Sequence, residues 1–272
     1  ILRDAESLKS SSGIQEHLSF EVVSTGGQIR FYVWTPKAQQ SFVEGQIYAQ
    51  YPTVQIYTID HDYVDNRDKH EVIYTAELGL TENTALPIKT FDNFEVDPLA
   101  GITGTLAKLD PDHSEELWIQ ILTRPIADSW HKDTDNWIKI LKSGKNSFRI
   151  FNIDITWILQ AISALWTPPS GGSSSDSKVE LSERTKSQIS AAEQKATKLG
   201  YEVKIRLAYL GTSEINAKLN MQALVGTFKQ FNSTNLNGFK QLGGSFNKEE
   251  LDAYKMRQFQ TPGFILNISE LA

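Results

Sequence analysis

The chain has 272 residues, 40% apolar and 22% charged, the balance of an ordinary globular protein with enough core for one large domain or two small ones. It contains no cysteine, which excludes disulfides, thiolate zinc sites and cysteine nucleophiles and is compatible with a reducing compartment. The net charge of −6 is unevenly spread: Asp60 to Glu116 holds 14 acidic and 4 basic residues, whereas Lys178 to Arg257 holds 13 basic and 8 acidic, and the acidic first half argues against a domain that coats nucleic acid.

In chain order, "ILRDAESLKSSSG" lacks the apolar core of a secretory signal. Ile1, Leu2, Ala5 and Leu8 read as the last turns of a helix already under way, so the chain reads as a fragment. Leu18 to Val23 and Ile29 to Trp34 flank "STGGQ", a hairpin signal in which Gly26 and Gly27 supply positive φ. Pro36 starts a helix, Phe42, Val43, Ile47 and Tyr51 follow at helical spacing, and Pro52 closes it. Val54, Ile56 and Ile59 then predict a strand. Strand, strand, helix, strand is a ferredoxin-like module, here 1–68, lacking its first strand and most of its first helix.

A second module, 69–272, begins with the strand "EVIYTAEL". Asp97 is placed to cap a helix from Pro98 to Leu109 with Leu99, Ile102, Leu106 and Leu109 on its apolar face, and "ELWIQIL" is the next strand. "YEVKIRLAYL" alternates Val203, Ile205 and Leu207 as a strand, Glu214 to Phe231 is a helix, and Leu236 to Leu242 is extended. The middle connection, about 124–200, is an insertion. It holds a helix near Ala127 to Ser143, the apolar stretch Phe148 to Trp166, a Pro/Gly/Ser linker from Thr167 to Leu181, and a charged helix from Glu183 to Leu199. The predicted class is therefore α+β, two tandem ferredoxin-like modules with antiparallel sheets.

Phe148 to Trp166 is long enough to span a bilayer, but Arg149, Asn152, Asp154 and Gln160 exclude a spanning helix. Phe151, Ile155, Ile158, Ile162 and Leu165 form one face, which has to lie on a core, a partner or a membrane surface. "DHDYVDNRD" (Asp60 to Asp68) fails the calcium-loop pattern, since Val64 and Asp65 stand where a ligand and a glycine belong, and it reads as an exposed acidic loop. His131, Asp133 and Asp135 scatter around a helix instead of sharing a face. No G-x-S-x-G turn holds a nucleophile, and neither "NGFKQLGGSFNKEE" nor "PPSGGSSSDSK" supplies the Lys-Ser/Thr step of a phosphate loop. No residue is assigned a catalytic, cofactor-binding or metal-ligating role, and no cofactor is expected.

Five stretches, "SFEVVSTGGQIRFYVWTPK", "FVEGQIYAQYPTVQI", "PIKTFDNFEVDPLAGI", "ELWIQILTRP" and "KLGYEVKIRLAYLG", together resemble the N-terminal region of conjugation-type ATPases, the type IV secretion DNA-transfer motors of the TraG/HerA-like class. The resemblance runs in order from Leu2 to Ala272 and includes no catalytic motif. It implies an accessory scaffold ahead of a P-loop motor that lies outside this chain. The implied partners are that motor, neighbouring subunits and, through Phe148 to Trp166, a membrane surface, with the chain at the cytoplasmic face. The alternative is a free-standing ferredoxin-like protein that binds a ligand or peptide.

Overall fold

Gly26 and Gly27 both lie at positive φ, 55° and 72°, as a two-residue type I′ turn demands. They join β1 (Leu18–Thr25) to β2 (Gln28–Trp34) in the expected hairpin, with Thr25 opposite Gln28 and Ser19 opposite Trp34. A 3-10 turn (Lys37–Gln39) then leads into α1 (Gln40–Gln50). The structure, a computed structural model, describes residues 16–65, 70–110, 114–143, 149–150, 153–154, 181–259 and 261–272.

The chain continues through β3 (Val72–Leu80), α2 (Pro98–Leu106), β4 (Glu116–Pro125) and α3 (Ser129–Lys142) to the two-residue strands β5 (Arg149–Ile150) and β6 (Ile153–Asp154). After the insertion come α4 (Glu183–Ala196), β7 (Gly200–Gly211), α5 (Glu214–Phe228), β8 (Phe239–Ser245), α6 (Glu250–Met256), β9 (Phe264–Asn267) and α7 (Ile268–Leu271). One antiparallel sheet runs in the order β2-β1-β4-β7-β3-β8, with β9 on β7. β7 is its axis. One edge of β7 is paired with β4 from Tyr201 to Leu210, and the other is shared by β9 and β3.

The α+β class and the antiparallel pairing are those expected. The strands assigned to two modules share a single sheet, because β1 takes β4 as its second neighbour, with Glu21 opposite Gln120 and Ser24 opposite Leu117. The predicted strand at 54–59 is absent: these residues follow α1 without joining a ladder. β5 and β6 pair Arg149 with Asp154 and Ile150 with Ile153, so these four residues are extended where the sequence predicts a helix. The rest of Phe148 to Trp166, and the linker up to residue 180, lie outside the described residues.

The two sheet faces differ in chemistry. On one, Val203, Ile205, Leu207 and Tyr209 of β7 pack with Leu117 and Ile119 of β4 and Ala76 and Leu78 of β3 under α2 and α5. α5 buries Ala217, Met221, Leu224, Val225 and Phe228, a stripe at helical spacing, and Ser213 caps it by accepting from the Asn216 N–H. Asp97 caps α2 as expected, accepting from Leu99 N at 2.8 Å, but Leu99 itself is exposed, and only Ile102 and Leu106 of the helix are buried. α3 and α4 meet through Ile138, Ile189 and Ala192, and Trp130 of α3 lies so close to Gly200 that a Cβ there would stand 2.8 Å from its ring.

On the other face Val23, Trp118, Ala208, Leu210 and Ile73 form a smaller core, covered by Leu251 and Tyr254 of α6 and by Tyr63 and Val64. Beside this core a polar row crosses four strands, since Glu21, Gln120, Arg206 and Glu77 are direct register partners.

Candidate docking surface

β2 is the edge of the sheet, and its side chains alternate between the two faces. Tyr32 turns toward the smaller core and stacks on Tyr63, with ring centroids 5.2 Å apart. Ile29, Phe31 and Val33 turn to the face that α2 and α5 cover further along. Phe31 stands opposite Val22, and Val33 opposite Phe20. Val22, Ile29 and Ile121 touch the main core, but Phe20, Phe31 and Val33 are exposed, Phe31 at 61%. Among the described residues, the core face of the sheet therefore runs out beyond its helical cover.

α1 leaves from the end of β2 and buries none of its residues. Its composition favours the helix weakly: Gly45 costs backbone entropy, Val43 and Ile47 are β-branched, and Gln39 supplies no capping hydrogen bond. After Tyr51 the chain doubles back, and the Gln40 side chain reaches Thr58 Oγ1 at 3.4 Å. Val43, Ile47 and Ile56 are half-buried, while Phe42, Tyr48, Tyr51, Val54, Tyr57 and Ile59 are exposed, Tyr51 at 67% and Tyr57 at 75%. From Gln28 to Ile59 the only charges are Arg30, Lys37 and Glu44, a balance of +1 in a chain of −6. Sequence reading placed the apolar residues of this arm in a packed module. In the structure the arm is an apolar, nearly uncharged surface, a composition that marks interaction sites.

Buried ionisable side chains on the other face of the sheet are committed to one another. The Glu21 carboxylate, fully buried, accepts from Ser19 Oγ at 2.6 Å, Tyr63 Oη at 2.7 Å and Gln120 Nε2 at 3.1 Å. Arg257 completes its shell with a two-pronged bond, Nε to Oε1 at 2.7 Å and Nη2 to Oε2 at 2.9 Å, and also holds Asp62. Burial opposes the charge on Arg257, but the hydrogen bonds it donates to Glu21 and Asp62 outweigh it and raise its pKa. Tyr63 is held protonated by burial and by the neighbouring Glu21 charge. Arg206 donates to the Ala253 carbonyl at 2.9 Å, and Lys204 pairs with Glu77 at 2.9 Å. Closed over by α6, this network pins the C-terminal segment to the sheet. Sequence reading singled out none of Glu21, Arg206 and Arg257.

The "DHDYVDNRD" stretch is not a simple exposed acidic loop. Asp62 is taken by Arg257, Asp65 by Lys255, and Tyr63 and Val64 are core. Residues 66–69 lie outside the description. His131 bonds the carbonyls of Asp128 and Ala196, both at 2.9 Å, while Asp133 and Asp135 are exposed, so these three do not converge. Among the described residues no group of three or more His, Asp or Glu could hold a metal, and no helix is long and apolar enough to cross a membrane. A groove of about 630 Å³ lies between α4 and the loops at 87–93 and 232–236. Its cations are already engaged: Lys89 over the Phe94 ring, Lys198 on Ser269, and Lys195 on Glu270 at 3.0 Å.

A family profile described as a domain of unknown function, DUF8128, matches residues 3–272. No curated protein and no solved structure matches the chain.

Proposed function

The chain belongs to the DUF8128 family of domains of unknown function, and from that premise we propose that it is a non-catalytic docking module, the scaffold region of a conjugation-type, type IV secretion ATPase. The observation that carries this reading is the arm at 40–59, a helix without a buried residue followed by an irregular return segment with exposed tyrosines. An 11-residue helix is marginal in water without tertiary support, and this one has little of its own. A partner that covers Phe42, Tyr48, Tyr51 and Tyr57 would supply that support. The five stretches that resemble the secretion motors favour a motor domain and neighbouring subunits as the partners, at the cytoplasmic face of a membrane.

The gene's reading frame tests the proposal. The expected result is an open frame that continues past Ala272 into a phosphate-loop motor domain. A frame that ends close to Ala272, with no motor encoded, contradicts it.

A further inference from the structure

We propose that two copies of this chain associate through β2, edge to edge and antiparallel, about a two-fold axis at Phe31. The proposal extends the docking reading to a surface distinct from the arm.

The hairpin geometry decides which backbone groups are free. A two-residue type I′ turn makes Thr25 and Gln28 a hydrogen-bonded pair. Alternation from there turns the N–H and C=O groups of Gln28, Arg30, Tyr32 and Trp34 toward β1. Those of Ile29, Phe31 and Val33 point out from the open edge, an invitation to another strand. The side chains of these same residues form the uncovered apolar row. A two-fold axis at Phe31 sets Phe31 against Phe31 and Ile29 against Val33 of the second copy, so each apolar group meets an apolar group. On the other face it sets Arg30 against Tyr32, a cation against an aromatic ring. β2 contains no acidic residue, so the charge that repels two chains of net −6 is missing from the contact itself.

The area sets the strength. Phe20, Phe31 and Trp34 are 39%, 61% and 36% exposed. With about 150–250 Å² per aromatic side chain, they offer roughly 300 Å², to which Val33 and the strand edge add. This is about half of the roughly 800 Å² per partner in a stable complex. The dimer is therefore expected in the micromolar range.

Sedimentation velocity of the whole chain from about 1 to 200 µM, which brackets micromolar dissociation constants, should show a concentration-dependent monomer–dimer equilibrium. Phe31→Lys puts two cations face to face across the axis and should abolish the dimer while leaving the melting temperature unchanged. Ile215→Lys, on an exposed position of α5, should leave the dimer intact. Because the chain has no cysteine, Phe31→Cys gives a second reading that needs no loss of affinity: a short bis-maleimide should link it to itself and should not link Ile215→Cys. A monomer at every concentration, a dimer that survives Phe31→Lys, or equal linking at both positions overturns the proposal. None of these outcomes bears on the reading frame that tests the docking function, so the two can fail separately.

Discussion

Replacing Arg257 with methionine should destabilise the fold by about 3–5 kcal/mol, because it strands a carboxylate that cannot reach water. Glu21 lies on β1, next to the edge strand, with a fully buried side chain, and two of its hydrogen bonds come from this guanidinium. Methionine keeps most of the volume, so the loss reports the unpaired charge and not a cavity. The same change frees Asp62 and removes one anchor between α6 and the 62–65 segment, leaving the Lys255–Asp65 pair. Chemical denaturation of the single variants and of the double variant Glu21→Gln/Arg257→Met checks the cause. The double variant should lose less than the two single losses added together, because Ser19, Tyr63 and Gln120 can still bond a neutral amide. Strictly additive losses would mean that the pair is not coupled.

Lys195→Met should cost a comparable amount, again about 3–5 kcal/mol. Lys195 and Glu270 are both fully buried, and the ammonium also donates to the Ile265 carbonyl at 2.9 Å. Burial lowers the pKa of Lys195, and Glu270 offsets that only in part. Without the lysine, Glu270 keeps its bonds from the Ile88 and Asn267 N–H groups, both at 2.8 Å, but loses its counter-charge. Since this pair ties α4 to the C-terminal turn, the expected signature is a lower melting temperature together with early exchange of the α7 amides. A variant as stable as the parent would show that the hydrogen bonds alone hold the carboxylate.

Local elements were legible in the sequence for reasons that are themselves local. Two adjacent glycines specify the hairpin turn, Asp97-Pro98 specifies a capped helix start, and the alternation of Val203, Ile205 and Leu207 specifies a strand with one apolar face. Sheet membership was not legible in the same way. β1 meets β4 across about 100 residues of chain, and nothing in either strand names its neighbour. Val54, Ile56 and Ile59 carry a strand pattern, but a strand also needs an open edge beside it. β3 has β7 on one side and β8 on the other, and the open edge of β2 is not paired with them. Glu21 looks like the solvent side of an amphipathic strand until α6, more than 200 residues later, closes over it. The four-residue β9 and α7 are too short to give a periodic signal. The converse holds for the docking surface: Phe42, Ile47 and Tyr51 have core spacing, but among the described residues α1 has no buried position.

Amide hydrogen exchange across residues 40–59 tests the docking account most directly. In the isolated chain the amides of α1 and its return segment should exchange near the unprotected rate, while those of β7 are the slowest in the molecule. In the native assembly purified from its own cells, the 40–59 amides should slow by about tenfold or more, as a covered helix requires. Equal exchange in the isolated chain and the assembly would contradict the account, because it would leave the exposed arm with nothing to hold.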